Sequence, residues 1–249
     1  MTELATLPTT RDESWRYADA DWLAAADAQA LAHWREVAVP AGVTLRESSV
    51  LVEGGATRLR IRVGSGARYE HFAINSAGRY ARLELDVTLE ERAHFTFGGV
   101  TIGGGDKVQE FVTRVNHAPR STSSQVVRAV QWGKATGNFL GRIEIPQGSQ
   151  QVDAAQNFKA ILLEKGASAN AKPELEIHAD DVKAAHGAAI GALDETAGFY
   201  MAARGIPPEA ARKLLVRAFI ADAFEALEDE RLHDELLARA LAALDEAAI

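Results

Sequence analysis

Residues 82–89, Arg82-Leu83-Glu84-Leu85-Asp86-Val87-Thr88-Leu89, alternate between charged or polar and apolar side chains without a break. A period of two is that of a strand, whose successive side chains point to opposite faces. The same alternation appears upstream, where Leu59, Ile61 and Val63 interleave with Arg58, Arg60 and Arg62, and downstream at His94-Phe95-Thr96-Phe97. It continues less regularly through Val108, Phe111, Val112 and Val115. Short breakers separate the runs: Gly54-Gly55, Gly64-Ser65-Gly66, Ser76-Ala77-Gly78, Gly103-Gly104-Gly105 and Gly148-Ser149. No run between Val43 and about Ala179 reads as a crossover helix, so an alternating β-α-β chain is not expected.

Many short strands at even spacing fit a sandwich, a barrel or a β-helix. Three details favour the β-helix. Hairpin signals of the Asn-Gly kind are missing between the strands. Polar stretches at Ser121 to Gln125 and Gln150 to Asn157 suit the corners of stacked coils. Apolar blocks recur roughly every 10 to 12 residues, consistent with coils of about 20 residues or more. Composition by itself leaves the sandwich equally open. The glycine-rich segment from Gly98 to Lys107 lacks the order of a phosphate loop and reads as turns.

Both flanks read as helical. Trp22, Leu23, Ala26, Ala30, Leu31 and Trp34 recur at helical spacing within residues 10–34, with Asp19 or Asp21 as N-cap and Pro40 and Gly42 as terminators. Trp15 and Tyr17 read as anchors that hold this segment on the body. After Gly205, Pro207-Pro208 open a helix with Ala211, Leu214, Leu215, Ala218, Phe219, Phe224 and Leu227 on a broad apolar face, and Val216 and Ile220 beside it. A second amphipathic helix runs from about Asp229 to Ala247 along Leu232, Leu236, Leu237, Ala240, Leu241 and Leu244. The expected division is an N-terminal helical segment (1–42), a β-helix core (43–190) and a C-terminal helical subdomain (191–249).

Composition narrows the function. The chain has 249 residues, 47% hydrophobic and 25% charged, with a formal charge of −8. That balance opposes nucleic-acid binding by phosphate neutralisation. Much of the charge is local, with nine carboxylates against Arg231 and Arg239 between Asp222 and Glu246; a solvated helix face explains it. With no cysteine, the chain by itself can form no disulfide and supply no thiolate nucleophile or ligand. The N-terminus shows no secretory pattern, and no apolar run is long enough to span a membrane, so a cytoplasmic protein is expected.

The segment from Lys172 to Ile206, KPELEIHADDVKAAHGAAIGALDETAGFYMAARGI, joins the strand region to the helices. His178 and His186 flank Asp180-Asp181, a set from which a divalent metal site or a hydrolytic pair could be built. As neighbours on a strand, however, the two acids would face opposite ways. There is no Gly-x-Ser-x-Gly elbow, no Walker sequence and no Rossmann fingerprint. The residues leave open a sandwich or β-helix enzyme using His178, His186 and the nearby carboxylates, and a homodimeric packing protein with no metal role.

The same segment closely resembles the signature of the SufB/SufD family of iron–sulfur cluster assembly proteins, its SufD branch in particular. The resemblance is carried by Lys172-Pro173, Leu175-Glu176-Ile177, Ala179-Asp180-Asp181-Val182-Lys183, His186-Gly187-Ala188, Gly191, Leu193-Asp194-Glu195, Phe199-Tyr200 and Arg204-Gly205-Ile206. It extends upstream through Val115-Asn116-His117, Gly133-Lys134-Ala135, Gly141-Arg142-Ile143 and Gln156-Asn157, with Trp15-Arg16-Tyr17 as a further element.

The resemblance implies a right-handed parallel β-helix flanked by helices and a scaffold with no catalysis of its own. It implies a SufB-like partner bound through the β-helix ends, and a SufC-like ATPase docked on the C-terminal helices, for which Arg204, Gly205, Ile206, Leu214, Phe219 and Ile220 are the candidate contacts; a homodimer stays open. His186, the histidine of the family's Cys-x-His element, is the candidate ligand for iron or a nascent iron–sulfur cluster shared with the partner, with no cofactor held stably by this chain alone. The chain departs from the family at Ala184, which stands where that cysteine is expected. It is also short beside the family, so fewer coils and a smaller N-terminal helical part are expected.

Overall fold

The computed structural model describes residues 7–245. Its strands are β1 (Arg35–Val39), β2 (Thr44–Leu51), β3 (Gly55–Val63), β4 (Arg68–Asn75), β5 (Tyr80–Leu89), β6 (His94–Gly103), β7 (Val108–His117), β8 (Thr122–Gln131), β9 (Thr136–Ile145), β10 (Val152–Leu162), β11 (Ser168–Ile177) and β12 (Val182–Gly191). Odd-numbered strands form one six-stranded sheet in the order β1-β3-β5-β7-β9-β11, and even-numbered strands form the other. All neighbours pair in parallel. The chain thus crosses from sheet to sheet and returns one strand further along, a parallel β-solenoid of about six turns. A sandwich built from hairpins would have shown antiparallel pairs.

Inside the solenoid, the apolar half of the opening stretch (Leu83, Leu85, Val87, Leu89) stacks on Leu59, Ile61 and Val63, one turn earlier. Phe95, Phe97, Phe111, Phe139 and Phe158 fill the following turns; Phe97 meets Phe111 edge-on at 5.4 Å. Fully burying side chains of this size contributes about 1.5–3 kcal/mol each.

The weaker alternation of the middle strands has a physical cause. Their outer faces are also covered, and a strand buried on both sides need not alternate. On the even sheet, Phe72, Ile74, Val100, Ile102 and Val130 face outward under α4 (Pro208–Ala221), a 3-10 turn (Asp222–Phe224) and α5 (Glu230–Asp245), meeting Val216, Ile220, Phe224, Leu227, Leu236 and Leu237. Gly98 makes this contact possible: a Cβ there would lie 2.1 Å from the Ala223 carbonyl oxygen. Arg128, 3% exposed, fastens the same junction through Nε to Asp222 at 2.7 Å. On the odd sheet, Trp15, Ala18, Leu23 and Leu31 cover Tyr80, and Trp15 lies 3.9 Å from the guanidinium of the buried Arg82. Trp15 therefore is an anchor, while Tyr17 contributes its carbonyl, which accepts from Asn138.

Several expectations need correction. The strand region begins at Arg35, ahead of the boundary set at 43, because the N-terminal helix is shorter than its periodicity suggests. That helix is two pieces, α1 (Ala20–Ala25) and α2 (Ala28–Ala32), since Asp27 caps a fresh start by accepting from the Gln29 N–H; Asp19, not Asp21, caps the first. Thr122 to Gln125 and Val152 to Asn157 are strand, with only Ser121, Gln150 and Gln151 at corners. Gly98 and Gly99 are strand interior, with only Gly104 to Lys107 forming the turn. The helix expected to reach Ala247 is followed to Asp245; its last expected residues, like residues 1–6 of the N-terminal reading, lie outside the described residues.

Candidate functional site

A solenoid satisfies its backbone by handing hydrogen bonds from one turn to the next, and the ladder ends at β11 and β12. Each pairs with a strand on one side only, leaving a row of backbone donors and acceptors at an open edge. The opposite end also has open edges, at β1 and β2, but charges guard it: Arg35 pairs with Glu47 at 2.8 Å and Arg46 with Glu70 at 2.6 Å. The sequence of β12, VKAAHGAAIG, carries one lysine and no acid.

Register fixes which way β12 faces. Val182, Ala184, His186, Ala188 and Ile190 stand opposite Val152, Ala154, Gln156, Phe158 and Ala160 of β10, all buried inside the solenoid. The five β12 residues therefore continue the inward row, yet His186 and Ala188 are exposed and Ile190 is 46% exposed, because no further turn covers them. Across the lumen, Leu175 and Ile177 of β11 continue the row of the buried Ile143 and Ile145. The result is an uncovered apolar cross-section with a single histidine in it. That histidine tops a column that runs the length of the even sheet: Glu47, His71, Phe97, Gln125, Gln156, His186.

Deep in the lumen the two buried histidines are paired. His71 hydrogen-bonds Ser49 Oγ at 3.0 Å through Nε2 and the Tyr69 hydroxyl at 2.9 Å through Nδ1; Tyr69 in turn donates to Glu47 at 2.8 Å. His117 bonds Ser121 and Ser123 at 2.8 and 3.0 Å. Burial pushes both imidazoles down to about 4, so both are neutral at pH 7. No alternation pattern marks these side chains, whose spacing of 24 to 31 residues per turn is visible only once the strands are in register.

His186 is different: among the described residues its side chain makes no hydrogen bond. The set of His178, Asp180, Asp181 and His186 does not assemble. His178 turns to Glu176 at 3.2 Å, Asp180 and Asp181 lie in the turn between β11 and β12, and the Asp181 N–H donates to Gln150. No group of three or more histidine, aspartate or glutamate side chains suited to a metal comes together among the described residues.

The helical candidates divide. α3 (Glu195–Ala202), capped by Asp194, leaves Phe199 78% and Tyr200 58% exposed, with the Arg204 guanidinium 3.8 Å over the Tyr200 ring. Gly205, at φ 82°, reverses the chain, and the Ile206 N–H closes back on the Met201 carbonyl. Leu214 is 48% exposed beside a cavity of 310 Å³ lined by Leu162, Leu193, Ala211 and Leu215. Phe219 is half-buried under Arg128, and Ile220 is wholly buried against the even sheet. Ile220 is thus a packing residue of the subdomain and offers no surface to a partner. Phe199 and Tyr200, quoted only as part of the sequence signature, are the more exposed aromatics.

The sequence model of the family described as SUF system FeS cluster assembly, SufBD core domain, matches residues 19–219. The chain belongs to this family. A SufBD family iron–sulfur cluster assembly protein of Synechocystis is 32% identical over 170 residues, which are 67% of this chain and 37% of that protein. The iron–sulfur cluster assembly protein SufD of Escherichia coli is 38% identical over 117 residues, 47% of this chain and 28% of that protein. SufD of Bacillus subtilis is 30% identical over 139 residues, 55% and 32% respectively. The chain thus spans roughly a third of the length of the relatives it matches. Within the SufBD family its resemblance to SufD is the specific one, and the matched region takes in the whole solenoid, β12 with His186, α3 and most of α4. Among the described residues no helix is long and apolar enough to cross a membrane.

Proposed function

We infer that this SufBD family chain works as a SufD-type scaffold subunit whose open solenoid end seats a SufB-like partner. The observation that carries this reading is the uncovered inward row of β12 and β11. It exposes apolar side chains that every earlier turn buries, beside unpaired strand edges, with His186 at its centre. A second solenoid set end-on would bury that row and extend both sheets. His186 would then lie inside the joint, its neutral imidazole a ligand for iron or for a nascent iron–sulfur cluster, the cargo of the assembly. Ala184 and His186 share the inward row, so the cysteine of the family's Cys-x-His element would have faced the same space. Here the thiolates come from the partner. The exposed Phe199, Tyr200, Arg204 and Leu214 form the surface on which a SufC-like ATPase docks.

Affinity purification of the native complex from its own cells tests the reading. Recovery of a SufB-like and a SufC-like protein is expected; a chain that elutes alone, or only with a second copy of itself, refutes the heteromeric scaffold. Within the recovered complex, His186→Ala is expected to leave assembly intact and lower cluster yield. Unchanged yield would make His186 a filler of the joint rather than a ligand.

A further inference from the structure

The opposite end of the solenoid, at β1 and β2, holds four polar side chains in single file. Tyr69 has one hydroxyl proton and donates it to Glu47 Oε2 at 2.8 Å. Glu47 is kept ionised by Arg35, whose guanidinium meets its two oxygens at 3.1 and 2.8 Å and holds its carboxyl below the usual range. With that proton committed, the Tyr69 oxygen can only accept at His71, so Nδ1, 2.9 Å away, carries the imidazole proton. Burial keeps His71 neutral at pH 7, which leaves Nε2 with a lone pair. Ser49 Oγ lies 3.0 Å from that lone pair, and the serine must be the donor.

A serine that donates to a neutral imidazole, itself held through a third group by a carboxylate, is the arrangement of an activated nucleophile. Ser49 is also placed to meet a substrate. It lies on the edge strand β2, is partly exposed, and lines a cavity of about 480 Å³ with Leu51, Val52, Glu53, Gly54 and Gly55. Glu53 and Gly54, in the turn after β2, have backbone N–H groups that make no hydrogen bond among the described residues. The cavity wall therefore offers donors to a developing oxyanion.

We propose that Ser49 is a nucleophile toward small activated acyl esters, with His71 as its general base. In that step the bond from Ser49 Oγ to the carbonyl carbon forms and the ester C–O bond breaks. The serine proton passes to His71 Nε2 and from there to the departing alkoxide, so no further reactant is consumed. The positive charge that crosses the imidazole is met by Glu47, whose Oε2 lies 4.0 Å from Nδ1. The site stands at the far end of the solenoid from His186 and owes nothing to a partner.

A fluorophosphonate, which exchanges its fluoride for a serine oxygen, tests this on the full chain at pH 7. Site-resolved mass spectrometry compares Ser49 with Ser48, exposed on the other face of the same strand. Ser49 is expected to react about a hundredfold faster, the lower end of what general-base assistance contributes. His71→Gln should bring Ser49 to the rate of Ser48. Tyr69→Phe, which keeps the buried ring but releases the tautomer, should slow Ser49 in the same direction. Ser48 serves in both variants as the measure of the strand's own accessibility. Equal labelling of Ser48 and Ser49 in the unmodified chain overturns the proposal, and that comparison needs no variant. So does a Ser49 rate left unchanged in whichever variant folds; Ser49 would then only complete the hydrogen bonding of His71.

Discussion

Lowering the pH from 7 to 5 is expected to strip stability from this solenoid through two histidines that lie away from the proposed joint. His71 and His117 are fully buried, and burial holds both near 4 in the folded chain against about 6.5 unfolded. Below 6.5 the unfolded chain takes up protons that the folded chain refuses, so stability falls with pH until about 4, where the folded imidazoles also charge. At pH 5 each histidine then costs about 2 kcal/mol relative to pH 7, and the pair about 4. That is a large share of the 5–15 kcal/mol typical of a domain. The depression of His94, also by burial, adds a loss of the same sign. Carboxylates held low by cationic neighbours, such as Glu47 beside Arg35, lose their contribution only at lower pH, so the window from 7 to 5 isolates the imidazoles. Urea unfolding at the two pH values measures the difference. The double variant His71→Gln, His117→Gln should be less stable throughout but lose about 4 kcal/mol less between pH 7 and 5. Equal losses in the two proteins would refute the assignment of neutral buried imidazoles.

Three further outcomes follow from the packing. Gly98→Ala should loosen the C-terminal helices, since its Cβ would collide with the Ala223 backbone at 2.1 Å; limited proteolysis should cut between Asp222 and Asp245 faster while the solenoid stays resistant. Phe224→Ala removes a wholly buried ring packed edge-on to Phe72 at 6.4 Å and should cost about 3–5 kcal/mol in denaturant unfolding. Arg128→Ala removes the guanidinium from Asp222, whose side chain is 40% exposed, and the Nη1 bonds to the Val127 and Asn157 carbonyls; a loss of about 1.5–3 kcal/mol is expected in the same assay. A loss below 1 kcal/mol would place the junction's stability in the apolar contacts alone.

Much of this architecture was legible where a single face was buried. Residues 82–89 alternate cleanly because Leu83 to Leu89 face the lumen while Arg82 to Thr88 face out. The same rule blurs at Phe72, Ile74, Val100 and Ile102, which point outward yet lie under helices whose sequence comes more than a hundred residues later. Local pattern cannot report such distant cover. It also cannot give register, and without register the column from Glu47 to His186 is six unrelated residues. Ile220 entered the candidate contacts through the family resemblance; on α4 it is buried together with Ala211 and Val216, while Leu214 stays exposed. His186 was found through the family signature; its place on the inward row came from pairing.

That place bears on why one histidine stands out among seven. In a solenoid every interior turn has its backbone and its inward row completed by the turns on either side, so a polar side chain there is paired, as His71 and His117 are, or is costly. An end turn presents inward residues whose surroundings are still to be supplied, and at the β11–β12 end His186 is one of them. An imidazole at that position is in contact with solvent in the single chain and enclosed in any end-to-end complex, so its chemistry changes with assembly and needs no movement of the fold. Under the proposed ligand role of His186, Ala184 on the same row adds no second ligand, and the others come from whatever closes the end. A chain built this way should show its metal chemistry as a property of the joint: iron binding measured on the complex should vanish when either the partner or the His186 imidazole is removed. Retention of that iron by this chain alone would contradict the reasoning directly.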